Sequence, residues 1–160
     1  ISVVVPTAPR PGGRRHLDRA ELERRAAAHD LAPPQIVALE HWVPYALRHR
    51  VLARAAVVAV LHLPGSESEL SFRTRALDGL WAGVPLLLTE GGAVADHARA
   101  EGWGAVVPPG DARATAAAIE LLLRDQFRER CRRSMEAGRE RWRWSQAATP
   151  LSTSDASDGV

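Results

Sequence analysis

Between Ser71 and Gly92 the string SFRTRALDGLWAGVPLLLTEGG gathers three hydroxyls, two arginines, two carboxylates and a glycine pair. Its spacing predicts a helix from Ser71 to Ala82. Ser71, Thr74, Arg75 and Asp78 form a polar stripe, and Phe72, Ala76, Leu77 and Leu80 form an apolar side that packs on a sheet. Ser71 is placed to cap the first turn, where free N–H groups and the helix dipole favour an anion such as a diphosphate. Arg73 or Arg75 would add a charge-assisted contact. Asp78, further into the helix, can accept hydrogen bonds from ribose or sugar hydroxyls. The competing reading is an exposed Arg75–Asp78 ion pair worth ~0.3 kcal/mol. Thr89-Glu90-Gly91-Gly92 then follows an apolar strand, Pro85 to Leu88, and precedes a helix. Glycines let a backbone approach a phosphate or sugar closely, and the next helix start supplies N–H donors. An ordinary strand-to-helix turn has the same composition. The whole segment suggests a nucleotide or nucleotide-sugar site without naming the ligand.

Other residues offer weaker chemistry. Glu67 and Glu69 precede the helix in a Gly-Ser-Glu-Ser-Glu loop. Each is a candidate catalytic carboxylate or sugar contact, or else part of a solvated acidic loop. His62 ends an apolar strand at the same edge, where the next loop can also satisfy it. Trp42, Trp81 and Trp103 read as packing residues at element ends, and Trp142 and Trp144 as tethers for the last helix. The arginines from Arg124 to Arg143 read as a solvated helix face, with peripheral contact to an anionic membrane surface as the second reading.

These residues must be positioned by a scaffold. Ile1 to Val5 is a β-branched run that predicts a buried parallel strand. Asp18 to Asp30 predicts a helix with Leu17, Leu22 and Ala26 inward, a Glu21–Arg25 pair outward, and Pro33-Pro34 as its stop. Strands follow at Gln35 to Leu39 and, buried, at Val57 to Leu61, around a short helix from Tyr45 to Arg54. After the Pro85 to Leu88 strand come a helix from Ala93 to Glu101 closed by Gly102, a fifth strand from Gly104 to Val107, and a Pro108-Pro109-Gly110-Asp111 turn with Asp111 as N-cap. Helices at Ala112 to Arg124 and Phe127 to Trp142 complete the body. The alternation predicts an α/β fold: a Rossmann-like αβα arrangement with a mostly parallel sheet of about five strands and ligands at the carboxyl ends of those strands. Residues 1–145 are expected to form the ligand-binding domain and 146–160 a disordered tail.

Composition narrows the classes. The chain has 160 residues, 46% hydrophobic and 25% charged, the profile of one globular domain. A net charge of +2 gives no ground for nucleic-acid binding. All 21 basic residues are arginine, a compositional habit that lowers the weight of any single one. One cysteine, Cys131, excludes an intrachain disulfide, and six scattered histidines show no metal-ligand spacing. No run approaches the ~20 apolar residues of a spanning helix, and no charged leader precedes the first strand. A first residue other than Met, already in a strand, is expected of a piece of a longer chain.

Three strings in this order resemble the C-terminal half of family 4 glycosyltransferases, enzymes of the two-domain GT-B fold. They are Leu77-Asp78-Gly79-Leu80-Trp81-Ala82-Gly83-Val84-Pro85, Thr89-Glu90-Gly91-Gly92, and Gly104-Ala105-Val106-Val107-Pro108-Pro109-Gly110-Asp111. The Ser71 to Arg75 and Trp42 to Tyr45 strings are similar to a bacterial subgroup associated with cell-surface polysaccharide synthesis. The resemblance implies retaining transfer of a sugar, of the hexosyltransferase type, from a nucleotide-sugar held by this half. With no metal motif in the sequence, no metal or cofactor is expected beyond that substrate; an acceptor domain supplied by the parent chain is expected, and a cytoplasmic location, at the inner face of the membrane if the arginine helix touches lipid. By resemblance, Asp78 contacts ribose, Ser71, Phe72 and Arg73 form the helix start near the diphosphate, and Gly91 and Gly92 line the donor sugar; Arg75 joins this donor-binding set from its place on the polar stripe.

The sequence departs from the family at three points. The second acid of the family motif is Asp78 rather than Glu. Counting back to the first acid lands on Leu70, with Glu69 and Glu67 just upstream. The family's first strand and its phosphate-gripping loop have no counterpart, which predicts either a gap in the sheet or re-pairing of Ile1 to Val5 against Val57 to Leu61. The chain alone is therefore expected not to turn over. The alternative is a non-catalytic remnant or interaction module of the same fold. A sugar-nucleotide 2-epimerase ranks lower, because its acid and histidine pattern is not evident.

Overall fold

Leu86, Leu87 and Leu88 are fully buried. Successive strand side chains point to opposite faces, so such a run must lie between two apolar layers. The computed structural model describes residues 2–7, 18–65 and 72–147. Its elements are β1 (Val3–Pro6), α1 (Arg19–Ala27), β2 (Ile36–Leu39), α2 (Tyr45–Leu52), β3 (Val58–Val60), α3 (Thr74–Ala82), β4 (Leu86–Thr89), α4 (Ala93–Glu101), β5 (Gly104–Val107), α5 (Ala112–Leu122), α6 (Asp125–Gly138), a 3-10 turn (Arg139–Trp142) and α7 (Trp144–Ala147). The chain forms two compact units, residues 1–47 and 48–160.

In the larger unit β4 is the centre of a parallel sheet ordered β3-β4-β5. Leu86 and Leu88 enter one cluster with Ala76 and Leu80 of α3, Val94, Ala95 and Ala98 of α4, Trp103 and Met135. Leu87 enters another with Val107, Ala118, Leu122 and Cys131. One strand therefore serves two cores, as a three-layer Rossmann-like α/β fold requires. Gly104 makes the β4–β5 approach possible. It stands in register with Leu86, and a Cβ there would lie 1.9 Å from the Leu86 carbonyl oxygen. In the smaller unit β1 and β2 pair in parallel, Val3 with Ile36 through Pro6 with Leu39. Leu22 and Ala26 are the buried residues of α1, as expected, and Glu21 pairs with Arg25 at 2.6 Å.

Several expectations need correction. All five strands form and all pair in parallel, but in sheets of two and three. Among the described residues β1 pairs with β2 and β3 with β4. Neither Ile1 to Val5 nor Val57 to Leu61 is fully buried. Val3 and Val4 are about half exposed, since β2 is the described ladder partner of β1. Leu61 is also about half exposed, because β3 is an edge strand. The first helix stops at Ala27 rather than at Pro33-Pro34. The Leu31 N–H returns to the Ala26 carbonyl through a left-handed Asp30, φ 56°, which closes the helix early. The helix expected from Ser71 starts at Thr74, and its N-cap is Arg73, with no side-chain capping bond. Phe72 therefore precedes the helix instead of packing on the sheet with Ala76 and Leu80. The last expected helix, Phe127 to Trp142, divides into α6 and the 3-10 turn, and α7 follows it. Residues 146 and 147, the first of the expected tail, stand in α7, and 148–160 lie outside the described residues.

The outer face of α6 carries its own counter-ions. Arg132 pairs with Glu129 and Glu136, Arg133 with Glu129, and Arg128 with Asp125. Hydrogen bonds from Arg132 and Arg133 hold the Glu129 carboxyl at about 2. No described helix is long and apolar enough to cross a membrane.

Two outcomes are expected. Gly104→Ala should lower unfolding free energy by about 3 kcal/mol in urea titration, because its methyl group meets backbone rather than a movable side chain. A carboxyl-detected NMR titration should place the Glu129 midpoint near 2. A folded value below the unfolded one means that its stabilisation is present above the ordinary carboxylate range and is lost as pH falls toward 2. Replacing Arg132 and Arg133 together by Gln should return the midpoint to that range.

Candidate functional site

The loops at the carboxyl ends of a parallel sheet are where α/β proteins place ligands. In the larger unit this edge holds His62 after β3, Phe72 and Arg73 before α3, Thr89 to Gly92 after β4, and Pro108 to Asp111 after β5. A central strand ends here with carbonyls that no further ladder satisfies, and buried carbonyls need donors. Arg73 supplies them. The residue is 4% exposed, and its guanidinium donates to the Thr89 carbonyl and, at 3.0 Å, to the Glu90 carbonyl. Burial lowers its pKa from the usual arginine value, the mark of a charge held away from water. The Thr89 hydroxyl is also buried and accepts the His62 backbone N–H at 3.0 Å, which ties the end of β3 to the end of β4.

This anchoring fixes the glycine pair. Gly91 and Gly92 have φ of 95° and 77°, a region where a side chain would be strained. Gly92 caps α4, and its carbonyl accepts from Ala95 and Asp96. The first amides of a helix lack intrahelical acceptors, so those of Ala93 and Val94 are the donors this turn presents. Two acids stand near that helix start, and one arginine meets both. Arg99 reaches Glu90 at 2.9 Å and Asp96 at 3.8 Å, which offsets negative charge that would oppose an anion there. Asp111 caps α5 as expected, accepting the Ala114 N–H at 2.8 Å.

The structure thus brings Arg73 together with the Thr89–Gly92 turn. Asp78 sits half-buried on α3 and pairs not with Arg75 but with Arg48 of α2, at 3.8 Å. Arg75 is exposed and joins no ion pair among the described residues. Phe72 is half exposed, its ring 6.2 Å from that of Trp142. Of the packing tryptophans, Trp103 is fully buried, whereas Trp42 and Trp81 are exposed, Trp81 beneath the guanidinium groups of Arg139 and Arg143. Ser71, Glu67 and Glu69 lie outside the described residues. The parts in Arg48, Thr89 and Arg99 were missed in the sequence. Only Thr89 left a signal there, as a polar residue closing an apolar run. Among the described residues, a depression of about 450 Å³ opens at the opposite edge of the sheet among Ala53, Gly83, Pro85, Asp125 and Arg132 and contains none of these residues.

The model of one protein family, described as glycosyl transferases group 1, matches residues 11–125. That range covers the whole edge described above. No curated protein matches the chain.

Arg73→Lys keeps the charge but loses the planar fork that serves two carbonyls at once. It is expected to cost about 2 kcal/mol in urea titration. It should also shift the amide resonances of Thr89 to Ala93 while leaving those of the Pro108 to Asp111 turn in place.

Proposed function

The chain belongs to the group 1 glycosyltransferases, and on that premise we propose that it is the donor-binding half of a retaining, family 4 enzyme of the GT-B fold. In this reading the domain of residues 1–145 holds a nucleotide-sugar, needs no metal or cofactor, and works with an acceptor domain of its parent chain in cell-surface polysaccharide or glycoconjugate synthesis. Arg73 supports the reading most strongly. A buried cation spent on two backbone carbonyls makes sense where the turn beyond them must hold its shape. That turn offers the Ala93 and Val94 amides to a diphosphate, with glycine backbone close to the donor sugar. Arg75, exposed beside it, is free of the Asp78 pairing and supplies a charge for the second phosphate. Asp78 accepts from the ribose hydroxyls, its carboxylate steadied by Arg48. Arg73 therefore acts on the donor through the loop rather than on phosphate directly, and Phe72 borders it. Ser71, Glu67 and Glu69 remain the candidates for diphosphate contact and for catalysis.

One observation favours a second reading, an interaction module with no working site. Val3, Val4 and Val37 of the β1-β2 sheet are 49%, 55% and 39% exposed, an apolar surface of the kind that partner chains cover.

An amide NMR titration with UDP, GDP and dTDP in turn separates the two readings. Donor binding predicts shifts in Thr74 to Asp78 and Thr89 to Ala93 with one of the nucleotides. Asp78→Ala should then weaken affinity about 10-fold or more, the loss of hydrogen bonds to a charged acceptor. Unchanged affinity in Asp78→Ala removes the ribose assignment. No response to any nucleotide from a folded chain favours the module.

A further inference from the structure

We propose that Trp142, beyond the range matched by the family, is a positioning residue for the donor turn, acting through Phe72 and Arg73. Its effect on nucleotide rests on the donor-site reading, whereas its effect on the turn does not.

The start of α3 has no side-chain cap. Arg73 caps that helix without a side-chain bond, and the backbone bonds Thr74 N–H to Phe72 and Ala76 N–H to Arg73 lead into its first turn. An uncapped helix start frays unless tertiary contacts hold it. Two contacts do. Arg73 grips the Thr89 and Glu90 carbonyls, and Phe72 meets Trp142 with ring centroids 6.2 Å apart and planes at 32°. If Phe72 swings away, the adjacent Arg73 loses the backbone position from which its fork reaches both carbonyls.

Trp142 is itself held on three sides. The His97 ring meets it edge-on at 4.9 Å, and the fully buried Trp103 does so at 5.5 Å and 74°. Arg141, its neighbour, bonds Glu101 at 2.6 Å and pins the 3-10 turn to the end of α4. Gly138 permits this approach, since a Cβ there would lie 2.7 Å from Glu101 Oε2 and 3.6 Å from Trp103 Nε1. The indole is thus fixed from the side of α4 and β5 and presents its remaining contact to Phe72. The path runs from the 3-10 turn through Trp142, Phe72 and Arg73 to Thr89, Glu90 and the glycine pair. Its through-space steps are the Trp142–Phe72 ring contact and the Arg73 hydrogen bonds, and the chain itself makes the rest.

The test compares Trp142→Ala and Trp142→Phe in the full chain, by amide NMR without nucleotide and then by titration with whichever nucleoside diphosphate the wild type binds. Trp142→Ala should shift the Thr89 to Ala93 resonances and weaken nucleotide binding about fivefold, the worth of one aromatic pair. Trp142→Phe, which keeps a ring against Phe72, should restore both. Unmoved Thr89 to Ala93 resonances in a folded Trp142→Ala variant overturn the proposal, and so does a Phe variant no better than the Ala one. Shifted resonances in a chain that binds no nucleotide leave the clamp standing and defeat the donor-site reading instead. If Trp142→Ala does not fold, Phe72→Ala removes the same contact from its exposed side. Unmoved Thr89 to Ala93 resonances there also overturn the proposal.

Discussion

The larger unit depends on keeping β4 dry on both faces. Leu86 and Leu88 face one cluster and Leu87 the other, so α3, α4, α5 and α6 all take their places from a four-residue strand. A strand enclosed in this way has no water at its sides, and its polar groups must be satisfied by the protein. Along its length the flanking ladders do so. At its carboxyl end they stop, and there the buried guanidinium of Arg73 takes over two carbonyls while the Thr89 hydroxyl takes the His62 amide. The most expensive side chain of the region to bury lies at the point where the ladder runs out.

The features of the candidate site follow from that solution. With Thr89 and Glu90 fixed, the chain must turn at once into α4. Two consecutive positive-φ glycines make the turn, and the first amides of α4 face the edge of the sheet. Glu90 and Asp96 would oppose an anion there, but Arg99 engages both from within α4. Asp78 is kept apart from Arg75 by its pairing with Arg48, which leaves a carboxylate and a separate exposed cation on one helix. The group 1 glycosyltransferase match gives this arrangement a chemical context, sugar transfer. The placement of Arg73 assigns it to support of the loop, where the bare sequence made it one of two interchangeable candidates for phosphate contact.

The arginine-rich end of the chain has a parallel logic. Arg128, Arg132, Arg133 and Arg143 are matched by Asp125, Glu129, Glu136 and Glu140, which laces much of this face with ion pairs. The residues that depart from this pattern sit where the helix gives way to the 3-10 turn. There Arg141 reaches Glu101, Arg139 and Arg143 lie over Trp81, and Trp142 turns inward.

Local features were legible in the sequence because their causes are local. The α4 and β5 boundaries, the Asp111 cap, the Glu21–Arg25 pair, the inward Leu22 and Ala26 and the alternation of strands with helices depend on residues within a few positions of one another. What stayed hidden depends on distant partners. Apolar runs of similar composition, Ile1 to Val5, Val57 to Leu61 and Leu86 to Leu88, differ only in how many strands and helices flank them, so only β4 is fully buried. The start of α3 moved from Ser71 to Thr74 because Arg73 is drawn toward carbonyls 16 and 17 positions away. Phe72 left the sheet for Trp142, and Asp78 left Arg75 for Arg48. In each case the sequence determined which chemical groups were available and which short segments would be regular. The tertiary structure decided their partners, because burial and hydrogen-bond demand at the end of a dry strand arise only once distant segments have come together.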